Sequence, residues 1–219
     1  MRKEQLAEDV TVYCGDCREA MSLIGAVDAV VTDPPYGIGN WSAGAAGGDV
    51  KIMTDKTAER VLKWDVAPDK ELLDRIRALS KEQIMWGGNY FLDHLGNCRS
   101  PLIWDKQLRG MHFADGESAW TSFTKGTLRI FTQFVHTGKD ELISARQHPT
   151  QKPIGLMEWC IDQLDASLHL VMDPFMGSGT TGIACVRRKR RFVGVERDPE
   201  YFDIACQRIR DAMKQDTLF

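Results

Sequence analysis

The chain has 219 residues, 43% of them hydrophobic and 27% charged, with a formal net charge of −3. That is ordinary globular composition, which excludes a disordered chain, a collagen and a coiled coil; no stretch approaches the 18 consecutive apolar residues of a membrane span. The length predicts one domain over residues 1–219, or one domain with an insertion, able to bury about 70% of its unfolded surface without disulfides or metals.

Met1–Val10 is charged and has no apolar core, so the sequence predicts no secretion signal and a cytoplasmic location. The six cysteines then read as free thiols. Only Cys14 and Cys17 are close together, and a single CxxC without further ligands is an incomplete zinc site, so no metal is expected. A protein that coats DNA is usually basic overall, so any nucleic-acid contact here must use local patches. Residues 1–50 are net −5 and residues 183–214 are net +4. The excess in the second stretch is mostly the run Arg187, Arg188, Lys189, Arg190 and Arg191. Such a run reads either as a helix end facing the negative pole of the macrodipole or as a phosphate-binding patch.

In chain order, Thr11–Cys14 reads as a strand ending in a Gly15-Asp16 turn. Ala26–Thr32 (AVDAVVT) reads as a buried parallel strand closed by Pro34-Pro35. Five glycines between Gly37 and Gly48 predict a mobile loop over about 37–50. Lys70–Lys81 has apolar residues at helical spacing. Gln83–Trp86 and Pro101–Trp104 read as strands, and residues 105–147 as irregular. Ile154–Asp165 reads as a helix, Leu168–Met172 as a strand and Thr180–Val186 as the start of a helix. Arg191–Val195 reads as a strand and Tyr201–Met213 as a final helix. Strands alternating with helices predict an α/β sheet with mostly parallel strands, whose ligands bind beyond the strands' carboxyl ends.

Three segments carry chemistry. The first is Asp173-Pro174-Phe175-Met176-Gly177-Ser178-Gly179-Thr180-Thr181, between a strand and a helix. Its glycines admit close approach of a ligand to the backbone, and it is neither a Walker A loop nor GxGxxG. Glu196 ends the next strand, 23 residues after Asp173. A carboxylate about 20 residues on can accept both hydroxyls of a ribose, so the pair describes an adenosine-containing cofactor; the alternative is a structural tight turn. The second is Asp33-Pro34-Pro35-Tyr36. Two prolines stiffen the backbone and remove two donors, leaving carbonyls and a carboxylate beside an aromatic face. That suits a planar base with an exocyclic amine; the alternative is an ordinary proline turn. The third is His148-Pro149-Thr150-Gln151-Lys152-Pro153, which reads by itself as the start of a helix with Thr150 as its cap.

All three, in this order, resemble the amino-methylating DNA methyltransferases that use S-adenosylmethionine, in the permuted beta class whose DPPY motif precedes DPFxGSGTT. The resemblance extends to VYCGDCREAM, MWGGNYF at Met85–Phe91, LIWDK at Leu102–Lys106 and FADGESAWTS at Phe113–Ser122, and is strongest to small solitary phage and prophage methylases. It implies a circularly permuted, Rossmann-like class I methyltransferase fold: seven mostly parallel strands with one antiparallel edge strand and helices on both faces. In that class the chain begins just before the third strand of the usual sheet and ends after its second αβ unit.

The resemblance also implies roles. Asp33 and the Pro34 carbonyl would hold the target amine, beside Pro35, with Tyr36 stacking on a base flipped out of double-stranded DNA. Asp173, Phe175, Met176, Gly177, Ser178, Gly179, Thr180 and Thr181 would surround the methionine end of the cofactor, with Asp33 nearby. Glu196, beside Arg197, would take the ribose and Asp16 would lie near the adenine. His148, Thr150 and Lys152 would wrap the cofactor from the other side. The stretch 107–147 would be a short DNA-recognition insertion of 41 residues, which implies a short site, low specificity or help from a homodimer partner. Asp at the first position of DPPY resembles the adenine-specific members, so adenine N6 is expected. The alternatives are cytosine N4, an RNA or small-molecule substrate, or a catalytically weak DNA-binding relative.

Overall fold

Val30, Val31 and Thr32 are fully buried, as are Val171, Met172 and Val195, so the strands that carry them have no solvent face. Runs of this kind belong inside a parallel sheet covered on both sides. The computed structural model describes residues 1–38, 65–110, 114–134 and 151–216. Its elements in chain order begin with β1 (Arg2–Ala7), β2 (Val10–Cys14), α1 (Cys17–Ile24) and β3 (Ala29–Thr32). Then come α2 (Lys70–Leu79), β4 (Glu82–Trp86), a 3-10 turn at Gly88–Tyr90, α3 (Leu92–Leu95), β5 (Leu102–Asp105), β6 (Gly116–Thr121) and β7 (Arg129–Thr132). The chain closes with α4 (Ile154–Gln163), β8 (Leu170–Asp173), α5 (Thr180–Arg187), β9 (Arg191–Glu196) and α6 (Pro199–Asp216).

The described strands form one sheet in the order β1-β2-β9-β8-β3-β4-β6-β5-β7. Side chains alternate across it. Val12, Val31, Ile84 and Phe192 pack on one face under α4, α5 and α6, with Met157, Ala184 and Phe202. Val30, Met85, Met172 and Val195 pack on the other under α1, α2 and α3, with Met21, Leu73 and Leu95. The expected Rossmann-like sheet with helices on both faces is therefore present.

Two expectations are corrected. The sheet has nine strands among the described residues, not seven. Its reversed strands are also not a single edge strand: β1 runs antiparallel to β2 at one edge, and β6 lies inside the sheet, antiparallel to both β4 and β5. The stretch 105–147, expected to be irregular, contains β6 and β7. The sequence of β6, GESAWT, has little β-branched content; pairing on both sides makes it a strand. The same tertiary override of propensity applies to β1, RKEQLA, which pairs only with β2.

The basic run is a helix end. Arg188 pairs with Asp162 at 2.8 Å and Glu158 at 3.5 Å, and Arg187 reaches Glu158 at 3.7 Å. Arg190 donates to the carbonyls of Ala166 and Leu168 at 2.9 and 2.5 Å, and Arg191 pairs with Asp9 at 3.4 Å. The loop expected to be mobile lies outside the described residues from residue 39 onward, as do His148 and Thr150. No helix among the described residues is long and apolar enough to cross a membrane.

Leu73 on α2 is fully buried among the side chains that close the second face. Leu73→Ala should lower the unfolding free energy by about 2–5 kcal/mol. Urea unfolding would show this as a lower midpoint at constant slope; an unmoved midpoint would remove α2 from the core.

Candidate active site

Parallel strands leave their last peptide groups unpaired at the carboxyl edge, and a cleft of about 620 Å³ opens there. Gly15, Asp16, Cys17 and Arg18 form one wall, and Glu196, Arg197 and Asp198 adjoin them. Pro174, Phe175 and Gly177 form the floor, and Asp33, Pro34, Pro35 and Tyr36 stand at the far end. Residues 65–69, which lead into α2, close the remaining side. Arg18 pairs with Asp69 at 2.7 Å, linking two sides of the cleft. Asp16 lines the cleft and also caps α1, accepting the Arg18 N–H at 2.7 Å.

Glu196 accepts the Gly177 N–H at 2.9 Å on one carboxylate oxygen and the Asp198 N–H at 2.7 Å on the other. A carboxylate has about four acceptor sites, so lone pairs remain for a hydroxyl donor. Burial pushes this carboxyl up to about 7, against the pull of those amides. The glycine turn is tied to α6 on its far side. Arg208 donates to the Ser178 carbonyl at 2.6 Å, and the Ser178 hydroxyl donates to Gln151 at 3.0 Å. Gly179 begins α5 at a φ of 84°, and a Cβ there would meet Ala205 at 3.0 Å, so the turn needs glycine for both conformation and space.

Asp173 faces away from the cleft. It is 2% exposed and accepts hydroxyls from Thr32 at 2.7 Å and Thr181 at 2.6 Å, and the Phe175 N–H at 3.0 Å. It therefore clamps the ends of β3 and β8 to the start of α5. Burial pushes its carboxyl up to about 6, outweighing those three donors.

Asp33 sits in a different environment. Tyr36 donates to one of its oxygens at 2.5 Å, and the Lys152 ammonium meets the other at 2.5 Å. Lys152 also pairs with Glu117 at 3.0 Å, and Glu117 in turn pairs with Lys106. Burial pushes the Asp33 carboxyl up while Lys152 opposes the shift. For Glu117 the balance goes the other way: burial is outweighed by Lys152 and Lys106, which hold it at about 2. The Tyr36 ring stacks on Tyr90 with centroids 4.9 Å apart. Gly87 underlies that ring at a φ of 67°, and a Cβ there would collide with it.

The expected site residues thus fall into three groups. Asp16, Asp33, Pro34, Pro35, Tyr36, Phe175, Gly177, Glu196 and Arg197 line one cleft. Asp173, Met176, Ser178, Thr180 and Thr181 are buried around the turn and do not line it, and Gly179 packs against α6. Lys152, expected against the cofactor, is instead buried against Asp33 and Glu117. Sequence reading missed Glu117, Lys106, Gly87 and Tyr90 as site residues. The motifs FADGESAWTS, LIWDK and MWGGNYF contain all four, but only the sheet order brings them to Asp33.

Residues 103–207 are similar to the family model described as DNA methylase, of the N6/N4 type. The type II methyltransferase M2.MboI of Moraxella bovis is 42% identical over 65 residues, 30% of this chain and 24% of that protein. The match therefore spans about a quarter of the length of such curated relatives. Among solved structures, the M1.HpyAVI complex with S-adenosylmethionine superposes with a TM-score of 0.58 at 23% identity, covering 91% of this chain and 98% of that one. The cytosine-N4-specific PvuII DNA methyltransferase superposes with a TM-score of 0.56 at 15% identity, covering 95% and 93%. These likenesses establish the methyltransferase fold.

Asp173→Ala would leave the Thr32 and Thr181 hydroxyls, both nearly inaccessible, without their acceptor. Each donor so orphaned costs about 1–3 kcal/mol, so thermal unfolding should move to clearly lower temperature. An unchanged melting temperature would mean that Asp173 is not the clamp described.

Proposed function

We propose that the chain is an S-adenosylmethionine-dependent DNA methyltransferase that methylates the exocyclic N6 of an adenine flipped out of the duplex. The observation that carries the reading is a single cleft with a ribose-type acceptor, Glu196, at one end and Asp33-Pro34-Pro35-Tyr36 at the other. When bound, S-adenosylmethionine supplies the activated methyl group. Glu196 would accept its ribose hydroxyls, Asp16 would lie near its adenine, and Phe175 and Gly177 would line the cleft between them and Asp33. At the far end Asp33 and the Pro34 carbonyl accept the two amine hydrogens. This draws the nitrogen lone pair out of the ring and aims it at the methyl. Alignment and placed acceptors do most of the work, and no covalent enzyme intermediate is needed. The buried Cys160 and Cys185 suit this mechanism, since burial pushes both thiols far above the range in which they would ionise.

Asp at the first DPPY position supports adenine over cytosine. The stretch 107–147 serves as the short DNA-recognition insertion of a single domain, and a second copy of the chain would extend its reach. A prokaryotic or phage-infected cytoplasm is where the free thiols and a DNA substrate meet. Mass spectrometry of DNA treated with enzyme and labelled cofactor tests the base. N6-methyladenine is expected, and N4-methylcytosine alone would overturn the assignment.

Two variants probe the two ends of the cleft. Asp33→Asn should keep cofactor affinity and lower single-turnover methyl transfer about 10²–10³-fold, the usual cost of one placed transition-state partner. Near-normal turnover would sink the mechanism. At the other end, hydroxyl donors favour ionised Glu196, whose carboxyl is pushed up to about 7. Binding must therefore release a proton at low pH, and affinity should weaken as pH falls below about 7. Glu196→Gln should weaken binding by about 1.5–3 kcal/mol at pH 8 and abolish the pH dependence. Calorimetry on both proteins across pH 6–8 decides this.

A further inference from the structure

The Lys152 ammonium is 7% exposed and touches two carboxylates, Asp33 at 2.5 Å and Glu117 at 3.0 Å. It also lies 3.2 Å from the Tyr36 hydroxyl. Glu117 is held from behind by Lys106, itself 5.0 Å above the Trp104 ring. The four groups come from four places: the segment after β3, the segment before α4, the second residue of reversed β6, and the residue after β5. An ammonium this deeply buried is retained at a cost unless both its partners are in place. It does not line the cleft. Its position is therefore poor for holding a cofactor and good for holding Asp33.

We propose that Lys152 is the positioning residue of this site: it keeps the Asp33 carboxylate ionised and aimed, and Glu117 with Lys106 fixes the lysine. The inference rests on the methyl-transfer reading above. As the base nitrogen gains the methyl and the sulfur keeps the electron pair of the broken bond, the amine must release one proton. Asp33 accepts that proton and passes it to water, so Asp33 must begin ionised. The groups facing Asp33 are Lys152, Glu117 and the Tyr36 hydroxyl, with Asp173 behind it across the strand ends and Lys106 beyond Glu117. Lys152 is the one cation among the described residues in direct contact with it. Burial and Glu117 both push the carboxyl up, so the lysine, with a smaller contribution from the Tyr36 hydroxyl, is what opposes protonation.

The signs of the tests differ for the two partners. Lys152→Met removes the opposing cation, so the acid limb of the single-turnover pH profile should move up by about 1–3 pH units, the usual effect of one close opposite charge. Turnover at neutral pH should fall tenfold or more, with cofactor affinity retained and with partial recovery in Lys152→Arg. Glu117→Gln removes a like charge from beside Asp33, so its acid limb should move down. A structural role alone would move neither limb and would not reverse sign between the two variants. Carbon-13 NMR titration of the Asp33 carboxyl without DNA reads the same shifts independently of methylation. A wild-type protein that methylates no DNA would end the methyltransferase reading while the titration still scores the lysine. An unmoved Asp33 titration in Lys152→Met, or loss of cofactor affinity in that variant, would overturn the inference. Should Lys152→Met fail to fold, the downward shift expected in Glu117→Gln decides alone.

Discussion

Three neighbouring parallel strands, β9, β8 and β3, each bring a carboxylate to their carboxyl end: Glu196 and Asp173 as last residues, and Asp33 as the residue just after β3. Adjacent strands are about 5 Å apart, and two unit charges at that distance repel by roughly 3 kcal/mol at an effective dielectric constant near 20. The carboxyl edge of the sheet therefore cannot hold three bare anions side by side. Each is settled differently. Asp173 turns inward onto two hydroxyls. Glu196 takes backbone amides from the loops on either side of it. Asp33 takes a lysine. The first solution yields a structural clamp, the second a carboxylate that still has lone pairs for a ligand, and the third an acceptor whose ionisation depends on a partner.

The third solution depends on the reversed strand. In a fully parallel sheet, only residues that end strands reach the carboxyl edge. Because β6 runs antiparallel to β4 and β5, its beginning lies at that edge and delivers Glu117 there. Glu117 stands opposite Trp104 in the ladder, which sets it next to Lys106 and within reach of Lys152. The turn after β4 makes the complementary contribution. Gly87, with no Cβ, lets Tyr36 lie flat over the backbone and stack on Tyr90, which is itself half exposed. A base brought to Asp33 thus meets an aromatic surface already supported from beneath.

What could be read from the sequence follows from the range of the interactions involved. Ala26–Thr32, Gln83–Trp86 and Arg191–Val195 were legible because buried parallel strands carry a dense local apolar signal. The strand ends were legible because a carboxylate, a proline pair or a glycine turn closes each of them. Strands β1 and β6 were not: their residues are polar or small, and neighbours distant in sequence hold them in place. Asp173 and Glu196 look equivalent as strand-ending acids, and Thr32, on another strand, joins Thr181 in turning one of them inward. Lys152 sits in a segment that reads locally as the start of a helix. Its partner Glu117 is 35 residues away with no spacing rule between them, so the pairing could not be read from either motif.

Under the proposed reading, the same geometry bears on where DNA can approach. Arg191 opens β9 and Glu196 closes it, so the two lie at opposite ends of one strand, roughly 16 Å apart at about 3.3 Å per residue. The basic run Arg187–Arg191 is therefore at the edge of the sheet away from the cleft, and Glu158, Asp162 and Asp9 already pair with three of its cations. A phosphate bound there could not place its base at Asp33. Around the cleft itself, Arg18 is committed to Asp69, and Lys106 and Lys152 to buried acids. Among the described residues, Arg197 lines the cleft and further cations lie beyond β5. Arg109 is exposed and tied only to Asp105 among the contacts described, and Lys125 and Arg129 flank the start of β7. These few described cations would neutralise few phosphates, and the part of any DNA affinity they supply would depend shallowly on salt. Under the proposed reading, a base at Asp33 would gain from its aromatic support at Tyr36 and Tyr90 part of the binding that these few cations do not supply.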